Sequence, residues 1–107
     1  TQLIRVITNL IKNSIQAISE SQPEVPSIKV NVYKEDSFAI ITVMDNGIGI
    51  KEENKVKVFE PKFTTKTSGM GLGLAMVKKI VETYGGDINF TENVERGTTF
   101  TVKIPLD

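Results

Sequence analysis

"FAIITVMDNGIGI", residues 38 to 50, decides how this chain folds. Its first half is a run of β-forming side chains, and at Asp45 the run stops at a carboxylate, an asparagine and two glycines set two residues apart. Upstream, across Glu35-Asp36-Ser37, "SIKVNVYKE" alternates Ile28, Val30 and Val32 against Lys29, Asn31 and Tyr33. Together the two runs predict a hairpin of two half-buried strands. Pro23 and Pro26 make residues 21 to 27 a loop. Before it, residues 3 to 18 place Leu3, Ile7, Leu10, Ile11, Ile15 and Ile18 on an apolar stripe of helical period. The β-branched residues there favour a strand by propensity, but length and spacing favour a helix. Opposite the stripe run Asn9, Asn13, Gln16 and Glu20, at steps of four, three and four.

Downstream of the glycines, residues 51 to 58 read as a short helical stretch ending before Pro61, and "KFTTKTSGMG", residues 62 to 71, as a mobile loop. Residues 72 to 84 carry Leu74, Val77, Val81 and Tyr84 at helical spacing, and Gly85-Gly86 terminates that helix. "DINFTE" and "TTFTVKIPL" are two further strands, separated by a turn over residues 93 to 97. The order α, β, β, short α, α, β, β implies an α/β sandwich, one sheet with helices on one face.

A chain of 107 residues suits one domain. Thirteen basic and thirteen acidic side chains cancel, so attraction to nucleic acid or to an acidic membrane has no global support. The absence of cysteine and histidine excludes disulfides, thiolate chemistry and an imidazole base. A metal site here is expected to be a hard-oxygen one, suited to magnesium. No apolar run reaches the roughly 18 residues of a spanning helix, and nothing resembles a secretory leader. The expectation is a soluble domain in a reducing compartment. Because Thr1-Gln2-Leu3 enters a helical pattern directly, the chain is expected to be a piece of a longer one.

Three constellations carry candidate chemistry. Asn9 and Asn13, one helical turn apart, offer two amide oxygens to a hydrated magnesium ion whose other ligands are waters and triphosphate oxygens. The alternative is that asparagines on an exposed helix face need no purpose. Asp45 at a strand end can accept the amino hydrogens of an adenine ring, while Gly47 and Gly49 let the backbone approach the base. The alternative is an ordinary Asp-Asn-Gly turn. Gly69, Gly71 and Gly73, at steps of two before a helix, free backbone amides to cradle phosphate, with Lys66, Thr64, Thr65 and Ser68 as further partners. Neither a Walker loop nor a dinucleotide fingerprint fits, and the alternative is a solvated flexible loop.

"NLIKNSIQA", "DNGIGI", "VFEPKFTTK", "GMGLGLAMVKKIVETYGG" and "GTTFTVKIP" together resemble, in order and over nearly the whole chain, the N, G1, F and G2 boxes and closing strands of the ATP-binding domain of bacterial sensor histidine kinases. That domain belongs to the Bergerat-fold group shared with gyrase, the Hsp90 chaperones and MutL. The resemblance implies a mixed, mostly antiparallel sheet with helices on one face, its first strand missing here, and a single catalytic and ATP-binding domain over residues 1 to 107. Its cofactors are ATP and magnesium. Asn13 is the implied principal magnesium ligand, with Asn9 helping to hold the ion, its waters or the phosphates; these two are the catalytic candidates. Lys12 lies near the phosphates or on the surface. By the same resemblance Asp45 would recognise the adenine amino group, partly through water, Gly47 and Gly49 would shape the pocket, and Ile50 would lie near the base. Phe59 and Phe63 anchor the F box, and Thr64, Thr65 and Lys66 start the lid. Gly69, Met70, Gly71 and Gly73 carry the triphosphate, Leu72 and Leu74 pack beneath it, and Thr98 reaches the adenine end.

Departures from the family pattern are Lys62, where the F box usually has phenylalanine, Gln16, where many such kinases place a basic residue, and a very short lid between Lys66 and Gly69. That brevity resembles nitrogen-regulation and sporulation kinases more than the osmosensing type. The implied reaction moves the ATP γ-phosphoryl group to a histidine, and this chain has none. The acceptor is therefore expected on a dimerisation and histidine phosphotransfer domain of the same parent chain, and these residues alone are expected to be inactive in autophosphorylation. The resemblance implies a response regulator as the downstream partner and dimerisation through that phosphotransfer domain. No nucleic acid or direct membrane contact is expected, and the domain is expected to be cytoplasmic, whether or not its parent is membrane-anchored. The alternatives are a stand-alone Bergerat-fold serine kinase of anti-sigma-factor type, and a nucleotide-binding domain without phosphotransfer.

Overall fold

Helix α1 spans Gln2–Ser21 in a computed structural model that describes residues 2–60, 71–93 and 96–106. Its β-branched residues lower intrinsic helicity, so packing of one face supplies the stability. That face is centred on Val6, Leu10, Ser14 and Ala17, all buried, with Leu3, Ile7 and Ile11 half-covered beside them. The predicted stripe is thus rotated: Ile15 is 55% exposed, and a serine sits where an aliphatic residue is expected. The helix closes at Gln22, whose left-handed φ of 48° lets its N–H return to the Ile18 carbonyl at 2.7 Å.

Strands β1 (Ile28–Glu35) and β2 (Phe38–Asp45) form the predicted hairpin through a tight turn at Asp36, whose φ is 57°. A 3-10 helix (Glu52–Lys57) follows, then α2 (Gly71–Thr83), β3 (Asp87–Glu92) and β4 (Thr98–Pro105). Gly86 N–H bonds back to the Val81 carbonyl at 2.9 Å across Gly85, ending α2 as the glycine pair predicts. Among the described residues four strands make one sheet in the order β1-β2-β4-β3. Every described pairing is antiparallel, which narrows the expected mixed sheet.

Register places Ile41 and Val43 beside Val102 and Phe100, and these in turn beside Ile88 and Phe90. With Val6 and Leu10 from α1 and Leu74, Val77, Ile80 and Val81 from α2 they form the core. Tyr84, expected on that face of α2, is 43% exposed, because the buried stripe runs through Ile80 instead. Strand β1 departs furthest from expectation. Val30 and Val32 point to the helix side, opposite Val43 and Ile41, yet are 41% and 65% exposed. The cause is placement: α1 packs chiefly on α2 and β2, so the edge strand extends past its cover.

Phe59, Phe90 and Phe100 pack with ring centroids 5.8 to 6.3 Å apart in tilted and edge-on geometry, and Lys78 Nζ sits 5.4 Å over the Phe59 ring. Phe59 therefore anchors the segment after the 3-10 helix. Lys55 ties that helix to β3, reaching Glu92 at 2.6 Å and Glu52 at 3.3 Å. The Glu92 carboxylate first, and then Glu52, hold its ammonium above the ordinary lysine range.

Phe100 is fully buried at the junction of β4 and the aromatic cluster, so Phe100→Ala is expected to cost about 3–5 kcal/mol in urea unfolding. Val32→Ser on the overhanging strand is expected to stay within about 0.5 kcal/mol. Comparable losses at both positions would contradict this placement of the core.

Candidate functional site

Asp45 is the last residue of β2, on the helix-facing side and only 2% exposed. A carboxyl group taken from water at this depth costs on the order of several kcal/mol unless its oxygens accept hydrogen bonds. Both do. Ser14 Oγ, fully buried in α1, donates to Oδ2 at 2.9 Å, and Gly47 N–H donates to Oδ1 at 2.8 Å. The second bond is the local Asx geometry that an Asp-Asn-Gly sequence favours. The first crosses from helix to sheet and has no local cause.

The glycine loop is pressed onto α1. Ile48 N–H donates to the Ala17 carbonyl at 3.1 Å, and a Cβ on Gly47 would lie 2.6 Å from Ala17 C and 2.7 Å from Ile18 N. The close approach that Gly47 makes in this structure is to the helix. Gly97 makes a matching approach from the other side. Its φ is +99° and an added Cβ would fall 2.0 Å from the Asp45 carbonyl oxygen. Asn93 Nδ2 donates to that same carbonyl at 2.7 Å, and Thr99 Oγ1 donates to Asn93 Oδ1. Asn46 completes the bracket: its Oδ1 accepts from Ser27 N–H at 2.9 Å and its Nδ2 donates to the Val25 carbonyl at 2.7 Å.

Thr98 precedes Thr99, the partner of Met44, so it lies beside Asp45 at the end of the β2–β4 ladder, 4% exposed. Asn13 adjoins Ser14 on α1 and is half-buried. Asn9, also half-buried, donates Nδ2 to the Arg5 carbonyl at 2.8 Å, which turns its oxygen away from the helix backbone. Lys12 is exposed between them. Ile50 is half-buried against the core. Gly71, Leu72 and Gly73 occupy the first turn of α2, where helix geometry leaves N–H groups without intrahelical partners, and Leu74 is buried beneath. Arg5 Nη2 meets Met76 Sδ at 3.2 Å, joining the two helices near these ends.

The structure thus gathers Asp45, Gly47, Gly49 and Thr98 at one end of the sheet against the second half of α1, while Ile50 packs on the core. Phe63, Thr64, Thr65, Lys66, Gly69 and Met70 lie outside the described residues, as do Lys62 and the lid. Sequence reading missed Ser14, and Asn93 beyond its place in a turn. A serine three and four residues from Ala17 and Leu10 on an apolar helix face was the available signal for Ser14. Asn93 had none, since its partner is 48 residues away.

The family described as histidine kinase-, DNA gyrase B-, and HSP90-like ATPase matches residues 1–107. Sporulation kinase D of Bacillus subtilis is 41% identical over 102 residues, 95% of this chain and 19% of its own. Sensor protein TdiS of Thauera aromatica is 36% identical over 107 residues, 98% of this chain and 20% of its own. The chain spans about a fifth of the length of these curated relatives. Among solved structures, the catalytic domain of histidine kinase ThkA superposes with a TM-score of 0.81 at 40% identity, over 98% of this chain and 66% of that one. The mycobacterial sensor histidine kinase MprB gives 0.82 at 29%, over 97% and 70%.

Because backbone atoms of α1 border Gly47, they cannot yield as a side chain would. Gly47→Ala is expected to lose about 1–3 kcal/mol of stability by chemical denaturation. A variant as stable as the parent would show that the loop does not rest on α1.

Proposed function

Because the chain belongs to the histidine kinase-, DNA gyrase B-, and HSP90-like ATPase family, we propose that it binds magnesium-ATP and presents the γ-phosphoryl group to a histidine on a separate dimerisation domain of its parent chain. One observation carries the reading: a buried carboxylate whose two oxygens are oriented by Ser14 and Gly47 at the corner where β2 meets α1. Each oxygen retains acceptor capacity, and an adenine amino group is a donor. Thr98 borders the same corner, and Ile50, past the strand end on the glycine loop, packs on the core.

The residues fit magnesium held jointly with phosphate. Asn9 and Asn13 are neutral oxygen donors on one helix face, and the Asn9 amide turns its oxygen outward by tying its nitrogen to Arg5. Among the described residues no three carboxylates gather into a protein cage for an ion. When bound, the ion neutralises charge on the transferring phosphoryl group. The chain's own share is positioning: the first turn of α2 offers N–H groups without intrahelical partners to phosphate oxygens, and Lys12 adds a cation at the α1 side. A general base is not needed from this domain. Glu52 is paired to Lys55, and Glu20, Glu53 and Glu60 are exposed.

With no histidine in the sequence, the acceptor belongs to another domain. The sensor-kinase names of the relatives support histidine over the serine of a stand-alone kinase. ShkA, alike in fold, is a structure in complex with AMPPNP. A response regulator is the proposed recipient after the histidine, which puts this domain in the cytoplasm; none of the described helices is long and apolar enough to cross a membrane.

Asp45→Asn is expected to weaken ATP binding about 10- to 100-fold in calorimetric titration with magnesium, while thermal melting stays cooperative. Unchanged affinity removes Asp45 from base recognition. In the full-length polypeptide carrying residues 1–107, γ-labelled ATP is expected to yield acid-labile phosphate on nitrogen. Acid-stable label on a partner's serine instead would overturn the histidine reading.

A further inference from the structure

Ser14 is fully buried on α1, between Leu10 and Ala17 on the face turned to the sheet. A serine inside a helix commonly returns its proton to the carbonyl one turn back. Here the proton goes to Asp45 Oδ2 instead, at 2.9 Å and across 31 residues of sequence. A hydroxyl has one proton to give, so Ser14 Oγ is left able only to accept. The Asp45 carboxylate, with Gly47 N–H on its other oxygen, also only accepts.

We propose that Ser14 is a positioning residue for base specificity, whose committed proton holds the Asp45 carboxylate in one orientation and makes the Ser14–Asp45 pair an acceptor-only edge that selects 6-aminopurine over 6-oxopurine nucleotides. The proposal rests on the adenine role of Asp45 and adds to it a residue that the base-reading carboxylate depends on. An exocyclic amino group offers two N–H donors to such an edge. A 6-oxo group turns a carbonyl oxygen towards the same lone pairs, and the site's buried acceptors then go unmatched. Without the hydroxyl, a carboxylate held by Gly47 alone is free to turn about its Cβ–Cγ bond. A water taking the hydroxyl's place can present either a proton or a lone pair to the base, and discrimination relaxes.

The test is the ratio of ITP to ATP dissociation constants, measured by calorimetry with magnesium on the full chain. Wild type, Ser14→Ala, Ser14→Thr and Asp45→Asn are compared. Partial unfolding scales both constants by the same fraction, so the ratio is insensitive to lost stability. Ser14→Ala is expected to lower the ratio by about tenfold or more, and Ser14→Thr, which keeps the hydroxyl, to hold it closer to wild type. A ratio unchanged in Ser14→Ala overturns the proposal, and so does one that falls equally in both Ser14 variants, since shape and not the hydroxyl is then responsible. If Asp45→Asn still loses ATP affinity in those cases, the adenine role of Asp45 stands without Ser14. If Asp45→Asn binds ATP as wild type does, the adenine contact itself fails and Ser14 falls with it.

Discussion

A carboxylate 2% exposed at the end of a β-strand sets the condition that the rest of this site meets. Leaving Asp45 buried without donors would cost more than most single contacts can return. The fold answers with one donor from a helix and one from the following loop. Since the helix donor is fixed at Ser14, α1 can lie on the sheet in only one rotation. The same rotation brings Ala17 against Gly47 and places Asn9 and Asn13 off the buried face. Orientation of the magnesium candidates and orientation of the carboxylate are therefore a single geometric fact.

Two neighbouring groups of contacts share the work at the Asp45 end of the β2–β4 pair. At the Asp45 end, close backbone approaches at Gly47 and Gly97 and the Asn93 and Asn46 brackets fix the strand terminus without bulky side chains. Beside them, Phe59, Phe90 and Phe100, the last paired with Val43, supply apolar area and fix where the chain leaves the 3-10 helix. A net charge of zero gives no long-range pull on an anionic nucleotide. Under the proposed function, recognition therefore falls to local groups: amides at the start of α2, Lys12 and a bound cation.

Much of this was readable beforehand. Helical period outweighed β propensity over residues 3 to 18, and the glycine pair at 85 and 86 ended α2 where a left-handed residue was needed. Errors arose where periodicity was asked to tell how much of a face is covered. Val30 and Val32 alternate as buried strand residues do, but their strand lies at the edge of the sheet order, beyond α1. Ile15 and Tyr84 are apolar at plausible helical steps, and each lies just off the line that the neighbouring element touches.

The order of elements, the strand end at Asp45 and the glycines around it follow from the amino-acid sequence, because period, turn chemistry and backbone freedom act over a few residues. Which apolar side chains are enclosed, why Gly47 must lack a Cβ, and which hydroxyl meets the Asp45 carboxylate were decided by tertiary structure. Ser14 and Asp45 are 31 residues apart, and Asn93 and Asp45 are 48 apart. No local rule spans such distances. Those contacts form only when the helix has settled on the sheet, and burial then makes each unmet hydrogen bond expensive enough to choose the partner.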